Sequence, residues 1–300
     1  MQQRAKEIVQ KAWEITNNHK YLLKYGFWPS FFGILVGGVY TFYQIQAFMH
    51  SPLFSNHKTD YGMIFSHAKD FVSDYPWVFL FLLISTFLVL FCYFIIPVIC
   101  SGALIHMISK IAQGKKPKEG LTVGLFRFLP MLETSAAKST MKPVSFFTEW
   151  SFVIRNLGPG RAVLVTPFLI FFAFVGIVIL FFFALTSQFI VLKNQNFSES
   201  IVGSSKFVIR NFKTTFSLFL IFILIELRVI LNIAVILFLP VAVFWITGIF
   251  ADIFNLIGIL IAGVVAFCLI TLTALITGTL SVFSHAIWTL AFLEFQSEED

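Results

Sequence analysis

The stretch PWVFLFLLISTFLVLFCYFIIPVIC, residues 76–100, contains no charged residue and decides the fold class. An α-helix needs about 20 apolar residues to cross a hydrocarbon core of roughly 30 Å. The apolar residues run continuously and do not alternate with polar ones, which favours a helix over a strand of a membrane barrel. Because only these two structures satisfy their backbone hydrogen bonds in lipid, the sequence predicts an all-α, polytopic integral membrane bundle.

The composition of the whole chain agrees with this stretch. Of 300 residues, 58% are hydrophobic and 12% are charged, and the mean hydropathy is +0.88. A soluble domain carries about 25% charged residues, and its surface must face water. The composition therefore excludes an ordinary soluble fold and predicts one membrane domain over residues 1–300.

The apolar runs predict six membrane spans, at about 22–48, 77–109, 162–190, 214–239, 241–262 and 264–293. Lys and Arg are abundant in residues 1–25 and 110–161, whereas the 49–75 loop has only Lys58 and Lys69. The positive-inside rule then predicts a multi-pass protein of the cell membrane with both termini in the cytoplasm. The first 20 residues are charged and lack the apolar core of a signal peptide.

One stretch conflicts with this topology. A single span at 162–190 places residues 193–213 outside, although that stretch has four Lys/Arg and one Glu. The alternative makes 162–192 a re-entrant hairpin, followed by two long spans at 214–250 and 255–294. Both versions keep the C-terminus inside.

Four segments show amphipathic spacing and are too short to span: 3–17 within the N-terminal region 1–20, 121–132 and 145–157 within the segment 110–161, and 200–212 before the C-terminal membrane region 214–295. Each pairs an apolar face with cations, so we expect them to lie flat at the cytoplasmic interface. The predicted contacts to lipid headgroups, most favourable with anionic lipids, are Lys115, Lys116, Lys118, Arg127, Arg155, Lys206 and Arg210.

Two further features lie inside the predicted spans. Ser30, Gly33 and Gly37 form a stripe of small residues, which predicts close helix packing. Glu226 and Arg228 sit in the middle of an apolar run, where a charge costs roughly 2.5–3.5 kcal/mol. Together with Asn232, Asp252 and His285 they are a candidate intramembrane polar cluster, which serves either a transport path or a structural clamp between helices.

The string Phe-Val-Ile-Arg-Asn occurs twice, at Phe152–Asn156 and Phe207–Asn211. The second copy belongs to Ser205-Lys206-Phe207-Val208-Ile209-Arg210-Asn211-Phe212, and the chain closes on Ala291-Phe292-Leu293-Glu294-Phe295-Gln296. These segments resemble a group of multi-spanning prokaryotic membrane proteins related to the membrane domain of some glycerophosphodiester phosphodiesterases. Phe292 and Gln296 depart from the usual Tyr and basic residue of that group. The resemblance covers mainly 185–295 and implies the helical architecture. It implies no hydrolysis, because the soluble phosphodiesterase barrel is absent.

No catalytic motif is recognisable. The sequence lacks the patterns of phosphate-binding loops, nucleophile elbows, zinc proteases and C-x-x-C sites. Cys92, Cys100 and Cys268 sit in apolar runs without ligand spacing. We therefore expect no catalytic residue, metal or cofactor, and no binding of nucleic acid.

These features favour a non-enzymatic scaffold or accessory protein that organises the inner leaflet or a membrane complex. Its expected partners are membrane lipids and either another protein or a second copy of the chain. The alternative is a transporter or lipid-translocating protein that uses Glu226 and Arg228.

Overall fold

The computed structural model describes residues 2–49, 69–70, 72–225, 227 and 255–297, and every regular element that it describes is helical. The all-α prediction is therefore confirmed for this part of the chain. The α-helices are α1 (Gln2–Asn18), α2 (Leu23–Met49), α3 (Pro76–Ala112), α4 (Gly120–Phe126), α5 (Phe128–Thr140), α6 (Pro143–Leu157), α7 (Pro159–Phe182), α8 (Thr186–Leu192), α9 (Phe197–Arg210), α10 (Phe212–Ile225) and α11 (Asn255–Gln296). A short 3-10 helix, Lys20–Leu22, joins α1 to α2.

Four described segments are long and apolar enough to cross a membrane: Lys20–Tyr40, Pro76–Ala112, Gly160–Leu192 and Gly263–Gln296. Helices α9 and α10 meet at a bend of 103° and add a fifth only if they are counted as one broken span. Several long apolar helices fit a location in a membrane. The predicted boundary between spans 214–239 and 241–262, and the one between the alternative spans 214–250 and 255–294, lie mostly outside the described residues.

The predicted boundary between spans 241–262 and 264–293 is wrong. Helix α11 runs through it as one helix of 42 residues. Gly263 lies in its interior and does not end it. A single interior glycine costs a helix only about 1 kcal/mol relative to alanine, which the surrounding apolar turns offset.

Helix α7 is continuous over 24 residues of the segment 162–192, and Gly160–Leu192 is long and apolar enough to cross a membrane; whether 162–192 spans once or is a re-entrant hairpin stays a prediction. Pro167 and Gly176 are both accommodated within α7. The first turn comes after its end, at residues 183–185, before the short helix α8.

The chain packs as two compact units within the region predicted as one membrane domain. The first contains the described parts of 1–34, 96–134 and 181–300, and the second those of 35–95 and 135–180. The core of the first unit joins α1, the C-terminal part of α3, α8, α9 and α11. Its fully buried members include Ile8, Leu104, Ile108, Val208, Ile287 and Phe292.

Helix α3 changes its surroundings along its length. Its large apolar side chains are exposed from Trp77 to Phe94, whereas most residues from Val98 to Ser109 are buried in protein. At 1.5 Å per residue its 37 residues extend roughly 55 Å, well beyond a hydrocarbon core of about 30 Å. The exposed apolar part is suited to lipid, and the remainder packs in the first unit.

Close helix packing in the first unit uses glycines other than the predicted ones. A methyl group added to Gly278 of α11 would lie 2.8 Å from the carbonyl carbon of Gly26 in α2. A methyl group added to Gly102 of α3 would lie 3.0 Å from the Cα of Gly124 in α4. At Gly33 and Gly37, no atom of the described residues comes within 4 Å of such a methyl group. Close packing at Gly33 and Gly37 therefore stays a prediction, and among the described residues it is not seen at these two positions.

Prolines explain where the polar segment between α3 and α7 breaks. The predicted helix 121–132 is divided at Arg127, which caps α4 before α5 begins. In a continuous helix the Pro130 ring would clash with the carbonyl of Phe126, whereas the first turn of a new helix tolerates it. Pro143 and Pro159 occupy the first positions of α6 and α7, where a missing N–H costs nothing.

In the second unit, α6 packs antiparallel along α7. The indole Nε1–H of Trp150 donates to the Thr166 hydroxyl at 3.0 Å. Further along, a methyl group added to Gly176 would lie 3.0 Å from the Phe146 ring. The turn between the two helices is Gly158, which has a positive φ of 78° that suits glycine. Helix α6 therefore packs along an apolar helix, and its predicted position flat at the membrane interface stays a prediction.

The two copies of Phe-Val-Ile-Arg-Asn have the same local geometry. The Asn156 side-chain amide donates to the Phe152 carbonyl at 2.8 Å, and that of Asn211 donates to the Phe207 carbonyl at 3.3 Å. Each asparagine side chain thus bonds the carbonyl four residues earlier, and in α9 that carbonyl also accepts the Asn211 backbone N–H at 3.0 Å. Both strings end an amphipathic helix and precede a more apolar one.

Candidate lipid-contact sites

The cations predicted to contact lipid headgroups lie in three places. Lys115, Lys116 and Lys118 are exposed in the connection between α3 and α4, and Lys206 and Arg210 are exposed on α9. Arg127 is half-buried at the end of α4, and Arg155 is half-buried near the end of α6. Contact of these side chains with lipid stays a prediction.

Helix α9 directs its cations outward because its opposite face is held in the core. Ser204 is fully buried, donates its hydroxyl to the Phe182 carbonyl at 2.6 Å and accepts the Leu185 N–H at 3.1 Å. Phe207 and Val208 are buried on the same face. The helix is therefore fixed by apolar contact and by two hydrogen bonds to the turn between α7 and α8.

Helix α1 is fixed in the same unit by the C-terminal end of α11. Its face of Ala5, Ile8, Ala12 and Thr16 is buried, and α1 and α11 are extensively packed together. Arg4 forms an ion pair with Glu294 and lies 5.5 Å from the centre of the Phe295 ring. The two ends of the chain are therefore joined by apolar packing and by charge.

Lys193 covers a cluster of three phenylalanine rings at the end of α8. Its Nζ lies 5.3 Å from the centre of Phe189, 5.1 Å from Phe207 and 5.9 Å from Phe292. The rings of Phe207 and Phe292 stack at 5.7 Å, and Phe189 meets each of them edge-on at 4.9 Å. An ammonium within about 6 Å of an aromatic face is attracted by its quadrupole. Lys193 thus holds α8, α9 and α11 together.

We expect Lys193→Met to lower the stability of the first unit by roughly 1–2 kcal/mol, because methionine keeps the apolar contact and loses the cation. Thermal unfolding in detergent measures this. Lys213→Met, at an exposed position on α10, is the matched control and should stay near wild type. Equal melting temperatures for the two variants would contradict a role for the cation.

The candidate intramembrane polar cluster falls largely outside the described residues, as Glu226, Arg228, Asn232 and Asp252 are not among them. His285 is described and half-buried on α11. Its Nδ1–H donates to the Ser281 carbonyl at 2.8 Å, one turn earlier. The use of this cluster for transport or for clamping stays a prediction.

A groove of about 620 Å³ lies in the first unit between α1, the end of α3 and the end of α11. Its lining mixes apolar side chains such as Ile15 and Leu290 with Lys11, Glu14, His19 and Glu294. Glu294 is already paired with Arg4. No group of three metal-ligating side chains occurs among the described residues.

The second unit contains a pocket of about 560 Å³ between the C-terminal part of α2, α6 and α7. Tyr40, Tyr43 and Gln44 line it from α2, and Glu149 and Arg155 from α6. The amide nitrogen of Gln44 donates to the Tyr40 hydroxyl at 2.6 Å. Gln44 Oε1 and Arg155 Nε are buried and have no hydrogen-bond partner within the described structure. A buried polar atom left unpaired costs about 1–3 kcal/mol, so both atoms favour a ligand or an ordered water.

Sequence reasoning missed this pocket and the Arg4–Glu294 pair for different reasons. Gln44 is a polar residue in a predicted span, which is a usable signal for a polar site. Arg4 and Glu294 lie at opposite ends of the chain, and no local pattern connects them. The sequence indicates Lys193 only as one cation of the 193–213 stretch. Its position directly after an apolar helix is a usable signal for a contact with aromatic rings.

No protein-family model matches the chain, and no curated protein or solved structure matches it closely enough to be identified as a relative.

Proposed function

We propose that this chain is a non-enzymatic, multi-pass membrane protein whose cytoplasmic helices organise the inner leaflet or hold a membrane complex together. The observation that carries the proposal is the arrangement of α1 and α9. Both bury their apolar faces in one protein core and leave their charged faces exposed. A rigid surface of this kind presents cations to anionic headgroups or to an acidic partner without inserting its helices into lipid.

The proposed topology has both termini in the cytoplasm. The Arg4–Glu294 ion pair supports a topology in which residues 4 and 294 lie on the same side of the membrane. Residues 96–134 and 181–225 belong to one unit, where Met131 packs in one cluster with Ile190 and Val191. The stretch between them therefore leaves this unit and returns to it. We infer that the hairpin of α6 and α7 makes this excursion, which places the basic residues before and after it in the same compartment, as the positive-inside rule favours.

The proposed relation to the phosphodiesterase-associated membrane domains rests on the segments around Phe207 and Phe292. Their rings stack at 5.7 Å, so the two segments that carry the resemblance meet in the core. This contact supports a shared architectural role for those residues and gives no support to hydrolysis.

Anionic lipid binding by α9 tests the proposed function. We expect Lys206→Gln with Arg210→Gln to lower the amount of anionic lipid that copurifies with the protein. Each cation near an anionic surface contributes roughly 1 kcal/mol, so the double variant should lose about tenfold or more in preference for anionic over neutral lipid. Reconstitution into vesicles of equal phosphatidylglycerol and phosphatidylcholine, repurification and lipid mass spectrometry provide the measurement.

The matched control removes the same charge elsewhere. Lys58→Gln with Lys69→Gln acts on the loop predicted to lie outside, and should leave the lipid ratio unchanged. An unchanged ratio in the α9 variant, or an equal loss in the control, would show that α9 does not contact anionic lipid.

A further inference from the structure

The pocket of the second unit has a polar lining that is suited to a ligand of a particular kind. It presents one cation, Arg155, and one anion, Glu149, whose formal charges cancel. It also presents a buried donor, Arg155 Nε, and a buried acceptor, Gln44 Oε1, and both lack partners in the described structure. A molecule that satisfies both atoms must carry an acceptor and an N–H or O–H donor.

The charges narrow the class of ligand further. A guanidinium binds phosphate oxygens with charge-assisted hydrogen bonds. A carboxylate and the faces of tyrosine rings both attract an ammonium group, and Glu149, Tyr40 and Tyr43 supply them here. A purely anionic ligand would face Glu149 without compensation, whereas a zwitterion has a partner for each charge. The unpaired Gln44 Oε1 requires an ammonium that still carries N–H groups.

The rest of the lining is apolar. Phe152, Val153 and Leu169 border the same pocket, and the Phe152 ring is more than half exposed, at 58%. This combination is suited to a headgroup attached to acyl chains. We propose that the pocket binds the phosphoethanolamine headgroup of a membrane phospholipid, with Arg155 on the phosphate and with Gln44 and Glu149 on the primary ammonium.

Retention of defined lipids by the full chain tests this site. The protein is reconstituted into vesicles of equal phosphatidylethanolamine, phosphatidylcholine and phosphatidylglycerol, repurified in mild detergent and analysed by native mass spectrometry. We expect one phosphatidylethanolamine per chain, retained about tenfold or more over phosphatidylcholine, whose methylated ammonium cannot donate to Gln44. Excess soluble glycerophosphoethanolamine should not displace it, because it lacks acyl chains.

Two variants test the phosphate contact and the ammonium contact of the headgroup separately. Arg155→Leu should lose the bound lipid, whereas Gln44→Leu should retain lipid but bind phosphatidylethanolamine and phosphatidylcholine equally. Arg161→Leu removes an exposed arginine of α7 that does not line the pocket, and should behave as wild type. Should Arg155→Leu fail to fold, as judged by circular dichroism and gel filtration, the Gln44→Leu result decides alone.

Several outcomes would overturn the proposal. The first is that the folded wild-type protein retains no lipid, which would leave ordered water as the partner of the two buried atoms. The second is equal retention of all three lipids. The third is displacement of the bound lipid by the soluble headgroup. The site does not depend on the proposed scaffold function. Loss of anionic lipid in the α9 variant and loss of phosphatidylethanolamine in the Arg155 variant are separate readouts.

Discussion

Replacing Gly278 by leucine is expected to prevent the first unit from assembling. Even a methyl group at this position lies 2.8 Å from the carbonyl carbon and from the next backbone nitrogen in α2, at Gly26 and Phe27. Backbone atoms cannot rotate away as a side chain does, so α2 and α11 must separate. Overpacking of a core costs typically 1–3 kcal/mol, and a clash with backbone should reach at least the top of that range. Gly26→Leu acts on the same crossing from the other helix and should have the same effect.

The chain offers a matched control for each variant. Gly263 lies on α11 and Gly33 lies on α2, and no atom of the described residues is within 4 Å of a methyl group at either position. Gly263→Leu and Gly33→Leu therefore add the same side chain to the same two helices without this clash. The yield of monodisperse protein and the melting temperature in detergent compare the four variants. A melting temperature for Gly278→Leu equal to that of Gly263→Leu would show that the helices do not cross at these glycines.

This pair of glycines also shows what the sequence could not provide. Hydropathy locates an apolar helix, because a run such as 76–100 has only one stable environment. It does not say which face of that helix meets a neighbour. Gly33 and Gly37 have the spacing of a packing stripe, but Gly26 and Gly278 also lie four residues from a small residue, Ser30 and Ala274, so spacing alone does not identify the pair that meets. The close approach is a property of two distant segments, and it becomes visible only when both are placed.

Amphipathic spacing had a similar limit. It identified the helices at 3–17, 145–157 and 200–212, which correspond to α1, α6 and α9. The apolar face of such a helix is covered by lipid or by protein, and the spacing of its residues is the same in both cases. In α1 and α9 the cover is protein, since Ile8 and Val208 are fully buried in one core. The phenylalanine of the Phe-Val-Ile-Arg-Asn string is buried in α9 and exposed in α6. The string alone therefore does not predict whether its phenylalanine is buried.

The charge pattern and the apolar runs favour different topologies around residues 162–213. A single span at 162–190 conflicts with the four Lys/Arg of residues 193–213, although Gly160–Leu192 is long and apolar enough to cross a membrane. In the proposed topology the hairpin of α6 and α7 removes this conflict, since α6 packs antiparallel to α7. Hydropathy alone missed α6, since Glu149 and Arg155 interrupt its apolar run. Both groups line the pocket of the second unit, where a polar lining accounts for them.

This arrangement makes an all-or-none prediction for the sidedness of two positions. Cysteines that replace Lys118 and Lys206 should show the same labelling. In intact cells an impermeant maleimide should label neither of them, and after permeabilisation it should label both. Both positions are exposed and both belong to the first unit, and the proposed topology puts no net crossing of the membrane between them. Cys92, Cys100 and Cys268 are replaced by alanine beforehand, because Cys268 is exposed and Cys92 is half-buried. A cysteine at His57, in the loop predicted outside, is the positive control and should label in intact cells. Labelling at 206 but not at 118 in intact cells would contradict the proposed hairpin and favour the single span at 162–190. It would also separate Ile190 from Met131, which the packed cluster of the first unit joins.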